Sequence, residues 1–162
     1  MHNCFKDDSQ IYLKAVGADG QIAGFANWQS GRIKTWKEMN PPFVEGMNAE
    51  KCEAFFAGMD ANRQSVMGEK EHYCTQRRSI YTSIALLLTI STVLSMVATS
   101  PSAKRKGVGS TLVKWGCDRA DQDGLPAYLD SSAAGKGLYE KFGFVCQSDV
   151  DHSTPMVRPA KR

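Results

Sequence analysis

The chain opens with two short apolar runs separated by a polar break. Residues 11–16 and 22–28 read as strands, and Gly17-Ala18-Asp19-Gly20 between them carries the Asp-Gly signal of a hairpin. Trp28, at the end of the second run, is assigned to the core, with a wall of an acceptor site as the alternative. Residues 31–46 are polar and hold Pro41-Pro42, which predicts a loop. Asn48 has the chemistry of an N-cap, and Cys52, Phe55, Phe56, Met59, Val66 and Met67 follow at near-helical spacing. That helix is expected to end near Gly68 and to bury its apolar stripe.

The pattern changes after Tyr73. Residues 80–98 carry no charged side chain, and Arg77-Arg78 precede them. This length suits a membrane span, but recurring Ser and Thr favour a buried helix followed by a buried strand over residues 94–99. Pro101 breaks the strand, and Lys104-Arg105-Lys106-Gly107-Val108-Gly109 forms a basic, glycine-spaced loop. A helix then begins near Ser110, with Val108, Leu112, Gly116 and Ala120 on one face, and stops at Gly124 before Pro126. A short strand over 127–130 follows, then small residues 131–137, a short helix over 138–142 closed by Gly143, and a strand beginning at Phe144-Val145. Pro155-Met156-Val157 is the expected last edge strand, and Lys161-Arg162 are expected to be solvated.

Composition narrows the class. The 162 residues suffice for one domain with a real core, and 42% hydrophobic with 23% charged residues fits a globular protein. A net charge of +3 gives no broad nucleic-acid-binding surface. The five cysteines are scattered without a C-x-x-C pair, and the three histidines are far apart, so neither a disulfide framework nor a metal site is expected. Reduced thiols and a charged, apolar-poor start (MHNCFKDDSQ) point to a cytoplasmic setting, with the nucleus as an alternative.

The chemistry concentrates at residues 94–111. A glycine-spaced loop that opens a helix lets backbone amides approach an anion, and three cations add charge there. G-x-G-x-x-G fails because Leu112 stands at the third glycine position, and no G-K-[ST] follows. The pattern basic-x-x-G-x-G (Lys104, Gly107, Gly109) between strand and helix resembles the acyl-CoA loop of the GCN5-related N-acetyltransferases (GNAT). A second motif, Gly137-Leu138-Tyr139-Glu140-Lys141-Phe142-Gly143-Phe144, is similar to another family segment at a fitting distance. The likeness, to small fungal-type members of the family, is strongest over 94–160 and fair over 11–73. Residues 74–93 look like an insertion, a translated intron being one origin. The strand and helices that open relatives have no counterpart before Ile11.

The resemblance implies one N-acetyltransferase domain over 1–162, an α/β mixed sheet of the acyl-CoA N-acyltransferase fold, partial at its N-terminus. It implies that strands 94–99 and 127–130 splay apart to admit acetyl-CoA as co-substrate. Backbone groups of Met96, Val97 and Ala98 would then hold the pantetheine arm, while Lys104, Arg105, Lys106, Gly107, Val108, Gly109 and Ser110 hold the pyrophosphate. Lys104 departs from the commoner Gln or Arg, keeping charge without Arg's bidentate fork. Tyr139 aligns with the family's tyrosine near the cofactor sulfur, a general acid for the departing thiolate. No base stands out: Asp130 and Ser132 would line the acceptor site, and His72 and Glu69 sit beside the insertion. The acceptor is an amine, on a small molecule or a protein; nucleic acid is not an expected partner. The competing readings are a GNAT-fold remnant that binds acyl-CoA without turnover, a membrane-anchored chain using 80–98, and a nucleic-acid module using Lys104–Lys106.

Overall fold

A computed structural model describes residues 9–31, 46–68, 91–148 and 153–161 of the chain. The hairpin forms as the sequence predicts: β1 (Gln10–Val16) pairs antiparallel with β2 (Ile22–Gly31). Its turn closes through Gly17 N–H to Gln21 O at 2.8 Å and Gln21 N–H to Asp19 Oδ1 at 3.0 Å. The helix α1 (Ala49–Met67) is capped by Asn48, whose side chain accepts from the Lys51 amide at 2.9 Å, and it stops at Gly68. The remaining elements are β3 (Ser91–Thr99), a 3-10 turn (Pro101–Ala103), α2 (Val108–Asp123), β4 (Ala127–Ser131), α3 (Lys136–Glu140), β5 (Val145–Cys146) and β6 (Thr154–Arg158).

Six strands join one mixed sheet in the order β1-β2-β3-β4-β6-β5. Among the described residues only β3 and β4 run parallel; the other pairs are antiparallel. Two expectations about strands are corrected. β3 starts at Ser91, three residues before the expected start at Leu94; Thr92 and Val93 are buried and pair with Ala127 and Tyr128. β6 is interior rather than an edge, because β5 adds outside it through Val145↔Val157 and Cys146↔Met156. Residues 74–90 of the expected insertion, residues 32–45 of the expected loop, and His72 and Glu69 lie outside the described residues.

The main core lies between the sheet and α2. It joins Ala26 and Trp28 of β2, Leu94 of β3, Leu112, Val113, Cys117 and Ala120 of α2, and Ala127 and Leu129 of β4. The sequence places Val108, Leu112, Gly116 and Ala120 on the sheet-facing side, and they face it. Gly116 is what allows the approach: a Cβ there would meet Trp28 Cε2 at 2.1 Å. Trp28 is therefore core, not a wall of an acceptor site; it is fully buried, and its Nε1 donates to Leu112 O at 3.3 Å.

The opposite face carries a smaller cluster, Val93 and Tyr128 with Val66, Met67 and Val157. Here α1 departs from expectation. None of its residues is buried, and Phe55 is among the exposed apolar side chains; its apolar packing on the sheet is confined to Val66 and Met67. An ion-pair clamp closes the far end of α2. Arg158 of β6 donates to both carboxylate oxygens of Asp121 at 2.6 and 2.8 Å and to Phe142 O at 2.8 Å, and Lys161 adds a contact to Asp121 at 2.8 Å. The paired cations hold the Asp121 carboxyl down at about 2.

Candidate active site

The sheet opens where β3 bends. Its register with β2 shifts between Asn27 and Trp28, so that Asn27 faces Met96 and Trp28 faces Leu94, which leaves Ser95 as an extra residue. Such a bulge kinks the strand and increases its twist. The kink coincides with the end of the parallel pairing: β3 and β4 pair at Thr92↔Ala127, Val93↔Tyr128 and Leu94↔Leu129, and no further. Past that point β3 continues beside β2 to Thr99, and β4 continues beside β6 to Ser131. Met96, Val97 and Ala98 thus sit on a strand edge that faces an opening. Among the described residues no strand pairs with that edge. An extended ligand laid along it meets free amide and carbonyl groups.

The basic loop lies at the end of the same strand. The 3-10 turn folds the chain back, Arg105 adopts φ +61° and Gly107 φ +83°, and α2 begins. Left-handed backbone stands at these two positions, a conformation that suits glycine at Gly107 and is unusual at Arg105. Gly107 occupies the cap position, so no side chain satisfies the first turn. The amides of Arg105, Gly107, Val108, Gly109 and Ser110 donate no hydrogen bond among the described residues; Lys106 between them donates to Ala103 O at 3.3 Å, and donation resumes with Thr111, to Gly107 O at 2.9 Å. These open donors at a 16-residue helix N-terminus, with exposed Lys104, Arg105 and Lys106 around them, suit an anion with several oxygens.

Tyr139 stands near the end of β4. Its ring is 7% exposed, packs edge-on against Phe144 at 6.0 Å between centroids, and lies beside Gly135 and the end of β4 at Ser131. The phenol donates no hydrogen bond among the described residues, and burial pushes it above the usual tyrosine range. Leu138, its neighbour, lies against Gly109, which ties α3 to the first turn of α2. Ser132 is exposed and serves the turn: its carbonyl accepts from the amides of Gly135 at 2.9 Å and Lys136 at 3.2 Å. Asp130 lies on the opposite face of the sheet from Tyr139, beside Tyr128. Burial pushes its carboxyl up to about 6, against the pull of Tyr128, Arg63 and Ser153.

An open mixed sheet, parted between its two parallel strands beside a bare helix N-terminus, is the acyl-CoA N-acyltransferase fold. The chain belongs to the GNAT acetyltransferase family: the model of the Acetyltransferase (GNAT) domain matches residues 43–153. Among curated proteins it is similar to a probable acyltransferase, SID5, of Ajellomyces capsulatus, 40% identical over 56 residues that make up 30% of this chain. The match spans about two fifths of that relative's length (41%).

Solved structures share the fold. Arylalkylamine N-acetyltransferase 2 of Aedes aegypti superposes with a TM-score of 0.62 at 14% identity, covering 98% of this chain and 76% of that one. A histone acetyltransferase HPA2-related protein of Corynebacterium glutamicum gives 0.53 at 20% identity, over 96% and 67%. PaiA N-acetyltransferase of Thermoplasma acidophilum, solved with coenzyme A, gives 0.50 at 14% identity, over 93% and 61%. Among the described residues, no helix is long and apolar enough to cross a membrane.

Proposed function

We propose that the chain is an acetyl-CoA-dependent N-acetyltransferase that moves the acetyl group directly to an amine within one ternary complex. The observation that carries this reading is a coincidence of two features: β3 and β4 part after Leu94 and Leu129 at the end of the sheet where five amides of the 105–110 loop stand open. A pyrophosphate fits the loop, and the edge of Met96, Val97 and Ala98 suits the two amides of a pantetheine arm. Lys104, Arg105 and Lys106 add long-range attraction for a polyanion.

Tyr139 is placed to act on the leaving sulfur. A buried phenol with a raised pKa keeps its proton across neutral pH and presents it to the thiolate as charge develops there. An ordinary thiol is more acidic than this phenol, so the hydrogen bond to developing charge supplies most of the benefit, and solvent completes the proton balance. The test is acetyl transfer from acetyl-CoA to a panel of primary amines, followed as N-acetyl product by mass spectrometry. Product with the natural chain and none with Gly107→Glu is expected. Product formed equally by both proteins would contradict the assignment of the loop.

A further inference from the structure

The two faces of the sheet bring different chemistry to the opening. Alternation along β4 sends Ala127 and Leu129 into the core under α2, and Tyr128 into the cluster with Val66 and Met67 of α1. Asp130 shares the Tyr128 face. It is also the first β4 residue beyond the last β3–β4 pair, Leu94↔Leu129. A carboxylate therefore borders the opening from the α1 face, while the Tyr139 ring packs on the α2 face near the end of β4 at Ser131.

The surroundings of Asp130 are those of a proton acceptor rather than of a structural ion pair. Its Oδ1 is shielded from solvent and closes no hydrogen bond of good geometry, and neither does the facing Tyr128 phenol. The groups that bear on it are Tyr128 on its own strand, Arg63 and Asp60 from α1, and Ser153 ahead of β6. Arg63 is itself bonded to Asp60 at 2.9 Å, which spends much of its charge locally. Contrast Asp121, gripped by Arg158 at both oxygens. Asp121 stays ionised at all ordinary pH; Asp130 exchanges a proton near neutrality.

We infer that Asp130 is the base that takes the proton of the acceptor amine, and that the acceptor enters from the α1 face, opposite the face that holds the cofactor phosphates. This rests on the acetyltransferase reading. In the step, the amine lone pair forms the N–C bond at the thioester carbonyl and the C–S bond breaks. The surplus proton on nitrogen passes to Asp130, and the departing thiolate accepts a hydrogen bond from the Tyr139 phenol and takes its proton from solvent. Nitrogen becomes strongly acidic as the N–C bond forms, so a carboxylate is a sufficient base. Tyr128 packs beside the carboxylate on the same face of β4, and the Asp60–Arg63 pair moderates its charge.

The test compares the full chain with Asp130→Asn and Asp130→Glu, using phenethylamine as the probe amine and hydrolysis of acetyl-CoA as an amine-independent readout. Acetyl-CoA affinity is measured separately by calorimetry. Asp130→Asn is expected to bind acetyl-CoA within about twofold of the natural chain and to lose about a hundredfold or more in transfer. The natural chain should show a rising kcat/KM limb near pH 6, absent in Asp130→Asn and partly restored in Asp130→Glu. The Asn variant should also melt higher than the natural chain at pH 7, since it removes a buried charge, whereas a structural role predicts a lower melt.

Transfer by Asp130→Asn within threefold of the natural chain would overturn the inference, as would loss of transfer together with acetyl-CoA affinity. A natural chain that binds acetyl-CoA but neither transfers nor hydrolyses it would overturn it too while leaving the cofactor cleft standing. A natural chain that does not bind acetyl-CoA would instead refute the acetyltransferase reading itself, and the inference with it.

Discussion

Gly116→Ala is the substitution that most directly probes how α2 is seated. An added Cβ would lie 2.1, 2.2 and 2.5 Å from Trp28 Cε2, Cζ2 and Cδ2. Nonbonded carbons settle at about 3.5–4.0 Å, so helix and ring must part by more than about 1 Å. The indole has no room to swing, being fully buried and tied to Leu112 O. Overpacking of this kind costs about 1–3 kcal/mol, and the rigid partner puts it at the upper end. The gain from replacing a helical glycine with alanine is about 1 kcal/mol and offsets only part of it. A net loss of about 2 kcal/mol lowers the melting midpoint of a domain this size by roughly 4–8 °C. The assay is a circular-dichroism melt, with acetyl-CoA affinity measured beside it, since the same displacement moves the Val108–Ser110 amides. In Gly116→Ala/Trp28→Leu the smaller side chain should relieve the clash, giving a double mutant more stable than the sum of the single changes predicts. A Gly116→Ala midpoint within about 1 °C of the natural chain would refute the packing argument.

Other expectations follow from the same geometry. Tyr139→Phe should lower kcat by about a hundredfold while leaving acetyl-CoA affinity within about twofold, and equal loss of both would make Tyr139 a packing residue. Replacing Lys104, Arg105 and Lys106 together with alanine should weaken acetyl-CoA binding about tenfold at low salt and much less at 1 M salt; a salt-independent loss would argue against charge attraction. The Asp121 carboxyl is lowered in the fold, so its stabilisation is present above about pH 4 and is lost as pH falls toward about 2. Arg158→Met should therefore lower the midpoint at pH 7 and much less at pH 2.5; an equal effect at both would assign Arg158 to packing alone. Asp130 has the opposite sign: its raised carboxyl makes stability decline as pH rises from about 4 through about 6, a loss that Asp130→Asn abolishes in parallel melts.

Local signals carried much of this fold. Asp19-Gly20 between apolar runs marks a hairpin, and Asn48 and Gly68 mark the ends of α1, because each rests on chemistry within a few residues. The face of α2 was legible from spacing four apart, and the basic loop from Gly107 and Gly109. What escaped depends on distant partners. β6 looked like an edge because nothing in Pro155-Met156-Val157 shows that β5 will pair outside it. The apolar residues of α1 are expected as core, yet of them only Val66 and Met67 pack against the buried cluster on this face of the sheet. Ser91–Val93 merged into a long uncharged run, and only their pairing with β2 and β4 sets them apart from it. Nothing beside Asp130 in the sequence signals that Arg63 and Asp60 of α1 and Ser153 ahead of β6 bear on it. The Asp121–Arg158 clamp spans 37 positions and leaves no pattern along the chain.

The claim on which everything else depends is that the parted strands and the open amides form one cofactor cleft. A thermal melt with and without acetyl-CoA tests it directly. Ligand at about a hundred times its Kd stabilises the folded state by about 2.7 kcal/mol, which corresponds to a midpoint rise of roughly 5–10 °C for a domain this size. The account predicts that rise in the natural chain and its disappearance in Gly107→Glu, whose carboxylate would stand where the phosphates bind. A cooperative melt indifferent to acetyl-CoA, or a rise that survives in Gly107→Glu, would contradict it.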